Sequence, residues 1–117
     1  MKSEKDDIRL SPPMFHVMVA LAGEDRHGYA IIKDVSNSTG GAMQLTASTL
    51  YGIIKRLLAD GLIVETTARV ATAQDDPRRR YYRLTPLGRQ VALREAERME
   101  CSVAVARAAL LPGKART

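Results

Sequence analysis

The chain has few of the residues that build disulfides, metal centres and large aromatic cores. Its 117 residues include one cysteine, Cys101, no tryptophan and one phenylalanine. A single cysteine excludes an intramolecular disulfide and a thiolate-rich metal site, and it fits a reducing compartment. Two histidines are a weak basis for a metal site. We therefore expect neither a metal nor another cofactor, and we interpret His27 as a residue that caps a helix or forms another hydrogen bond near the helix start.

Long hydrophobic runs are also missing. No apolar stretch approaches the roughly 18 residues of a membrane-spanning helix. The polar start, MKSEKDDIRLSPP, lacks the apolar core of a signal peptide. We therefore expect a cytoplasmic protein with no membrane partner. No Ser-His-Asp arrangement, phosphate-binding glycine loop or cofactor fingerprint occurs, so we expect no enzymatic activity.

The composition is that of a small globular domain with a basic balance. Hydrophobic residues make up 45% and charged residues 26%, which supports one domain with a modest core. A net charge of +5 favours a polyanionic partner without proving one. A small domain with so few aromatic residues often gains burial by pairing with a second copy of itself.

Capping residues and helical periodicity predict four helices, with a two-stranded hairpin between the third and the fourth. Ser11, Thr46 and Thr85 each stand where a hydroxyl can cap a helix start, and Gly61 can end a helix in the left-handed conformation. The predicted segments in chain order are a helix from Ser11 to about Ala22, a helix from Gly28 that ends between Asn37 and Gly41, a helix from Thr46 to Asp60, strands over 62–70 and 80–84, and a helix over 86–111.

Residue spacing predicts the faces of the first and third helices. The buried stripe of the first helix is expected to contain Phe15, Met18, Val19 and Ala22 or Leu21. In the third helix the apolar residues project within about 140° of one another, so they form one core-facing stripe. That stripe consists of Leu50, Ile53, Ile54, Leu57 and Leu58. The other side is small, polar and basic, and it contains Ser48, Thr49, Tyr51, Gly52, Lys55, Arg56 and Ala59.

The hairpin is predicted to be basic at its tip. Alternation along the return strand predicts one face with Tyr82 and Leu84 and another with Tyr81 and Arg83. The tip carries Arg78, Arg79 and Arg80. Guanidinium groups suit bidentate phosphate contacts and insertion into a narrow minor groove.

Three helices followed by a hairpin is the order of a winged helix-turn-helix, so the expected fold class is mainly α (α+β), with a two-stranded wing. The recognition helix of such proteins enters the major groove with its N-terminal residues nearest the bases. A basic run alone is more often a solvated surface, but its coincidence with this element order favours binding to double-stranded DNA. The expected DNA-binding residues are Ser48, Thr49, Tyr51, Gly52, Lys55, Arg56, Arg78, Arg79 and Arg80.

The last helix carries an apolar seam with spacings of 4, 3, 4, 3 and 4 residues, which predicts pairing with a second helix. Its members, the expected dimer interface, are Ala92, Ala96, Met99, Val103, Ala106 and Leu110. The expected organisation is a flexible tail over 1–10, a DNA-binding domain over 11–85, a dimerisation helix over 86–111 and a second flexible tail over 112–117.

Three segments together resemble the PadR-like transcriptional regulators, over about residues 11–90. They are His27-Gly28-Tyr29-Ala30-Ile31, Ser48-Thr49-Leu50-Tyr51 through to Asp60-Gly61-Leu62-Ile63, and Arg80-Tyr81-Tyr82-Arg83-Leu84-Thr85 through to Gly88-Arg89. The resemblance implies a homodimeric winged-helix repressor of the short subgroup, with Tyr51 and the start of its helix against the operator. The family often has proline where this chain has Gly52.

We expect a repressor that binds a palindromic operator as a homodimer and is released by a small apolar or aromatic effector held between the helices of the dimer. Two alternatives remain open at this point. One is a DNA-binding factor that senses nothing, and the other is a winged-helix adaptor whose basic wing contacts an acidic protein.

Overall fold

The structure, a computed structural model, describes residues 8–66 and 79–112. These residues form the mostly helical winged-helix fold that was expected. The elements are α1 (Pro12–Ala20), β1 (Arg26–His27), α2 (Gly28–Ser38), α3 (Ala47–Ala59), β2 (Ile63–Thr66), β3 (Tyr81–Leu84) and α4 (Pro86–Leu110). Most of the two predicted tails, the end of the first predicted strand (67–70) and Arg78 lie outside the described residues.

Side-chain oxygens cap three of the helices, as predicted. The hydroxyl of Ser11 accepts the backbone N–H of Met14 at 3.4 Å, and that of Thr46 accepts the N–H of Thr49 at 3.1 Å. Thr85 caps α4 in the same way. Each hydroxyl satisfies an N–H that has no partner within the first turn of the helix. The polar residues at these positions therefore determine where the helices begin.

The end of α3 is set by Gly61, whose φ of 75° is the predicted left-handed conformation. The N–H of Gly61 donates to the carbonyl of Leu58 at 3.1 Å, and the N–H of Leu62 donates to the carbonyl of Leu57 at 2.9 Å. This pair of bonds satisfies carbonyls that the helix end would otherwise leave open. It also turns the chain directly into β2.

Within the described residues the sheet has three strands rather than the predicted two. Its order is β1-β3-β2 with both pairings antiparallel, so the return strand of the wing lies in the middle. Tyr82 pairs with Glu65 on one side and with Arg26 on the other. The sequence did not predict β1 because a strand of two polar residues has no alternation to detect. The predicted faces of β3 are confirmed, since Tyr82 and Leu84 are buried whereas Arg83 is exposed.

The core confirms the stripe of α3 at its centre and corrects that of α1. Leu50, Ile54 and Leu57 are buried, whereas Leu58 is exposed at the edge. In α1 the expected stripe was wrong in part, because Val19 is exposed and the helix ends at residue 20 rather than 22. Apolar residues surround α1 on every side, so their spacing does not single out the buried face. That face consists of Met14, Val17, Met18 and Ala20.

The first turn of α4 is bound tightly to the turn between α3 and β2. The hydroxyl of Thr85 donates to the carbonyls of Gly61 and Leu62, at 2.8 and 3.0 Å. Gly88 lies so close to this turn that a Cβ there would collide with the carbonyl oxygen of Leu62 and lie 2.9 Å from Leu84 Cδ1. Helix α4 is thus fixed at its start. From residue 99 onward it is exposed along its whole length.

Candidate nucleic-acid interface

The N-terminal part of α3 presents an open polar face to solvent. Ser48, Thr49, Tyr51 and Gly52 are all exposed, and Tyr51 retains 55% of its accessible surface. Nothing lies within 4 Å of the position that a Cβ would take on Gly52. The Thr49 hydroxyl is 3.1 Å from that of Thr46, so it takes part in the cap of the helix. The structure therefore places four of the predicted DNA-binding residues together on one accessible turn.

The two basic residues of the next turn differ in their surroundings. Arg56 forms an ion pair with Asp60, with 3.2 Å between Nε and Oδ2. Lys55 is exposed and has no acidic partner in the described parts of the chain. Both side chains are exposed, so each remains available to an anion on this face.

The wing contributes Arg79 and Arg80, which precede β3 and are both exposed. Arg80 Nη1 lies 3.6 Å from Glu65 Oε1 across the hairpin. An exposed pair of this kind contributes little to stability, so it leaves Arg80 able to move to another anion. Arg79 Nη1 lies 3.1 Å from Nε2 of His27. Arg78, the third predicted wing arginine, lies outside the described residues.

A cleft of about 720 Å³ joins the recognition helix to the wing. Gly28 allows the Tyr51 side chain to approach α2 closely, because a Cβ there would lie 3.1 Å from the Tyr51 hydroxyl and 3.4 Å from Leu50 Cδ2. The residues that line the cleft come from α2, α3 and the wing, and they are His27, Gly28, Tyr29, Tyr51, Arg79, Arg80 and Tyr82. The lining is therefore mainly aromatic and cationic.

Tyr82 lines the inner side of this cleft. Burial raises the pKa of its phenol above 10.0, and the nearby charges of Glu65 and Tyr51 raise it further, against the opposing effect of Arg80. Tyr82 is therefore a neutral phenol at physiological pH. The positive charge of the cleft comes from its two arginines.

Other arginines of the same region are used to hold the fold. Arg83 donates to both carboxylate oxygens of Asp25, at 3.1 and 2.9 Å, and these bonds together with the Asp25 charge raise the pKa of the guanidinium. Arg26 donates to the carbonyl of Ala20 at 2.6 Å. These contacts tie the sheet to the turn after α1, so Arg26 and Arg83 are structural rather than candidate DNA contacts.

The sequence predicted part of the role of His27 but not its position in the cleft. Its Nδ1 accepts the N–H of Ala30 at 3.2 Å, which confirms the predicted capping role. Its place beside Arg79 follows from the pairing of β1 with β3, which the sequence did not indicate. Tyr29 and Tyr82 were missed for the same reason. The family resemblance of the segment His27-Gly28-Tyr29 was the one signal that could have pointed to them.

The seam of α4 is exposed from Met99 onward, whereas Ala96 is half-buried. Val103 and Leu110 retain 55% and 78% of their accessible surface, whereas Ala92 is buried in the core of its own chain. An apolar groove of about 740 Å³ runs along this face, and it includes Ala96, Met99 and Val103. Across the described ranges, no helix is both long and apolar enough to cross a membrane.

An exposed helix N-terminus beside a basic wing defines a winged-helix protein of the DNA-binding class. The profile of the transcriptional regulator PadR-like family matches residues 17–94. The chain therefore belongs to the PadR-like family of transcriptional regulators. As predicted, it is a DNA-binding regulator of transcription rather than an enzyme.

Solved structures show the same fold. A transcriptional regulator from Clostridium thermocellum superposes with a TM-score of 0.70 at 24% identity, covering 87% of this chain and 99% of that one. A PadR family regulator from hypervirulent Clostridium difficile gives a TM-score of 0.71 at 22% identity, over 86% and 99% of the two chains. A PadR-like transcription factor from Bacteroides fragilis gives 0.60 at 26%, over 80% and 86%.

The match to a curated relative covers a smaller part of both chains than the matches to the solved structures. An uncharacterized protein of Lysinibacillus sphaericus is 36% identical over 66 residues, or 56% of this chain. The aligned part covers 58% of the length of that relative.

Proposed function

We propose that the protein is a repressor that binds a palindromic operator as a homodimer in the cytoplasm. The observation that carries the proposal is the common surface formed by the start of α3 and the base of the wing, joined through the cleft. Ser48, Thr49, Tyr51 and Gly52 enter the major groove. Lys55, Arg56, Arg79 and Arg80, with Arg78 at the tip of the wing, bind the DNA backbone, which supplies affinity rather than sequence preference.

The exposed second half of α4 supports the homodimer. Val103 and Leu110 are large apolar side chains on one seam, and no described residue of the same chain covers them. Pairing of two such helices buries this seam, which comprises Ala96, Met99, Val103, Ala106 and Leu110. Ala92, the first predicted member, is buried in the core of its own chain and is not part of it. A two-fold dimer presents two recognition helices, so the half-sites of the operator lie about one turn of DNA apart.

We further propose that a small apolar or aromatic effector binds between the α4 helices of the dimer and releases the DNA. The groove on α4 is lined by apolar side chains together with Glu100 and Arg107. A second helix laid over it would turn an open groove into an enclosed site, where a ligand changes the spacing of the recognition helices. DNA binding that no such effector weakens would favour the alternative, a DNA-binding factor that senses nothing.

The central test is a binding titration with two duplexes of equal length, one selected from a random library by the protein and one of scrambled sequence. Replacing both Arg79 and Arg80 with Ala should weaken binding to the two duplexes about equally. The slope of log K against log salt should fall by about 0.9 for each phosphate that the variant no longer neutralises. Ser48→Ala should instead weaken binding to the selected duplex more than to the scrambled one.

Arg83→Ala is the control for the wing variants, because it removes one positive charge from β3, the strand that follows Arg79 and Arg80, at a position bound to Asp25. Its salt slope should stay close to that of the unmodified protein. No DNA binding by the unmodified protein would contradict the proposal and would favour the adaptor that binds an acidic protein.

A further inference from the structure

The groove along α4 has a negative end and a positive end. Glu100 and Arg107 both line it together with Val103, and all three are exposed. Seven residues separate the two charges, which is nearly two full turns, so they lie on the same edge of the groove about 10 Å apart. Across the described ranges neither charge has an ion-pair partner, in contrast to Glu95, which binds Arg98 at 2.6 Å. The groove therefore carries two opposite charges that its own chain leaves unpaired.

A second copy of the same groove complements these charges only when it runs in the opposite direction. Rotation about a two-fold axis perpendicular to α4 brings Glu100 opposite the partner's Arg107 and, by symmetry, Arg107 opposite the partner's Glu100. Both residues occupy the same heptad position beside the seam, and charges at such flanking positions decide which orientation of two helices is favoured. The opposite edge of the seam contributes Ser102 and Ala109, which carry no charge. The antiparallel pair thus gains two ion pairs without placing like charges together.

A parallel pair of the same helices would bring like charges together. In that arrangement each residue on one edge of the seam faces the residue five positions further along on the other edge of the partner. Glu95 would then face the partner's Glu100, and the symmetry of the pair would repeat this contact. Ser102 would face the partner's Arg107 without a compensating charge. The parallel pair therefore has two repulsions where the antiparallel pair has two attractions.

The apolar side chains of the seam also fit the antiparallel arrangement. It places Met99 against the partner's Leu110 at both ends, and Val103 against the partner's Ala106 in the two central layers. The two central layers then have equal width. A parallel pair would set Ala106 against its own copy between the wider layers of Val103 and Leu110, and this would leave a space that close packing disfavours.

We propose that the α4 helices of two protomers pair in antiparallel orientation, and that Glu100 and Arg107 select this orientation through two reciprocal ion pairs. The inference rests on the homodimer of the proposed function and specifies how its two copies meet. Exposed ion pairs contribute little stability, but the choice of orientation depends on the difference between attraction and repulsion. A second copy is favoured over a different partner because the groove complements itself in both charge and side-chain size.

The first test reverses one charge and measures dimer dissociation by sedimentation velocity at low salt. Glu100→Arg places like charges beside each other twice in the antiparallel pair, so we expect the dissociation constant to rise about tenfold. The double variant Glu100→Arg with Arg107→Glu restores both ion pairs with reversed polarity, and it should return to within about threefold of the unmodified protein. Glu97→Arg is the matched control, because it makes the same charge change on the far, exposed side of α4. It should stay within about twofold.

The sign of the effect distinguishes the two orientations. In a parallel pair Glu100→Arg would replace a repulsion from the partner's Glu95 with an attraction, so tighter association would overturn the proposal. An unchanged constant, an equal loss in Glu97→Arg or a double variant as weak as Glu100→Arg would overturn it as well. A monomeric unmodified protein would overturn the homodimer of the proposed function, and this inference with it.

The second test reads the orientation without altering any charge. Cys101 is exposed and is the only cysteine, so Cys101→Ser gives a background without thiols. In this background one protein carries Met99→Cys and a second carries Leu110→Cys. These two positions share a layer in the antiparallel pair, so oxidation of the mixture should give the mixed disulfide dimer.

The single variants provide the control for this cross-link. In the antiparallel pair the two copies of position 110 are separated by about 16 Å along the axis. A disulfide needs Cα atoms within about 7 Å, so Leu110→Cys should not cross-link to itself. Self-linked Leu110→Cys or Met99→Cys dimers without the mixed dimer would show a parallel pair and would overturn the proposal, while leaving the homodimer of the proposed function in place.

Discussion

The two halves of α4 differ in what covers them. In the first half Gly88, Val91 and Ala92 are buried against the rest of the chain, whereas every residue from 99 to 112 is exposed. Yet the apolar seam continues through both halves with the same spacing. Helical periodicity therefore identifies an apolar face but does not say whether that face packs inside the protomer or is left for another molecule.

The anchoring of the helix explains the difference. Thr85 and Gly88 fix the first turn of α4 against the turn between α3 and β2. A helix rises about 1.5 Å per residue, so the last ten residues extend about 15 Å further along the axis. No residue of the described ranges outside α4 covers the helix there, so its apolar seam is exposed.

The largest effect should come from adding one methyl group to the packed half of α4. Gly88→Ala places a Cβ against the carbonyl of Leu62, where backbone rather than a flexible side chain would have to move. We expect a loss of about 3 kcal/mol in the free energy of unfolding, measured by urea denaturation.

Gly52→Ala is the matched control, because it adds the same methyl group to an open position in α3. It should stabilise the protein by about 0.5 to 1 kcal/mol through helix propensity. Equal effects of the two variants would contradict the tight packing of the first turn of α4.

The second largest effect is expected on dimer dissociation, and it tests the role of the exposed half of α4. Val103→Glu places a charge in the proposed seam, and we expect the dimer to dissociate at least about 100-fold more readily. Sedimentation velocity over a range of concentrations measures this change. The helix signal in circular dichroism should remain, because no described part of the same chain covers Val103.

Val105→Glu controls for the charge itself, since Val105 is also exposed but lies on the opposite side of the helix. It should leave the dimer intact. If Val105→Glu dissociates the dimer and Val103→Glu does not, the two copies pair through a different face.

Much of the fold could be predicted because local chemistry determines it. The hydroxyls of Ser11, Thr46 and Thr85 set helix starts, and Gly61 sets a helix end, whatever surrounds them. The missed strand, β1, depends on a partner more than fifty residues away, since His27 pairs with Tyr81. Two polar residues carry no periodic signal of such a pairing.

The same distinction applies to the candidate site. The exposed face of α3 followed from the spacing of its apolar residues, so the exposure of Ser48, Tyr51 and Lys55 was predicted, while their contact with DNA stays a prediction. The different surroundings of Arg79 and Arg83 did not follow, because they depend on Asp25 and His27, whose positions beside the wing the sequence did not predict. Arg83 meets the carboxylate of Asp25, whereas Arg79 meets the ring of His27.

The smallest expected effect is on the pH dependence of stability, and it distinguishes the buried Tyr82 from the exposed Tyr29, which lines the same cleft. Burial raises the pKa of Tyr82 in the folded protein above the 10.0 of the unfolded chain. The stabilising contribution of the neutral phenol is present in full below pH 10 and is lost as the pH rises from 10 through the folded pKa.

Urea denaturation at pH 8 and at pH 11 should therefore show a smaller loss of stability for Tyr82→Phe than for the unmodified protein. Tyr29→Phe should behave like the unmodified protein, because Tyr29 is 62% exposed. An equal pH dependence in all three proteins would mean that the Tyr82 phenol ionises as easily in the folded state as in the unfolded chain, and that the inner wall of the cleft is open to water.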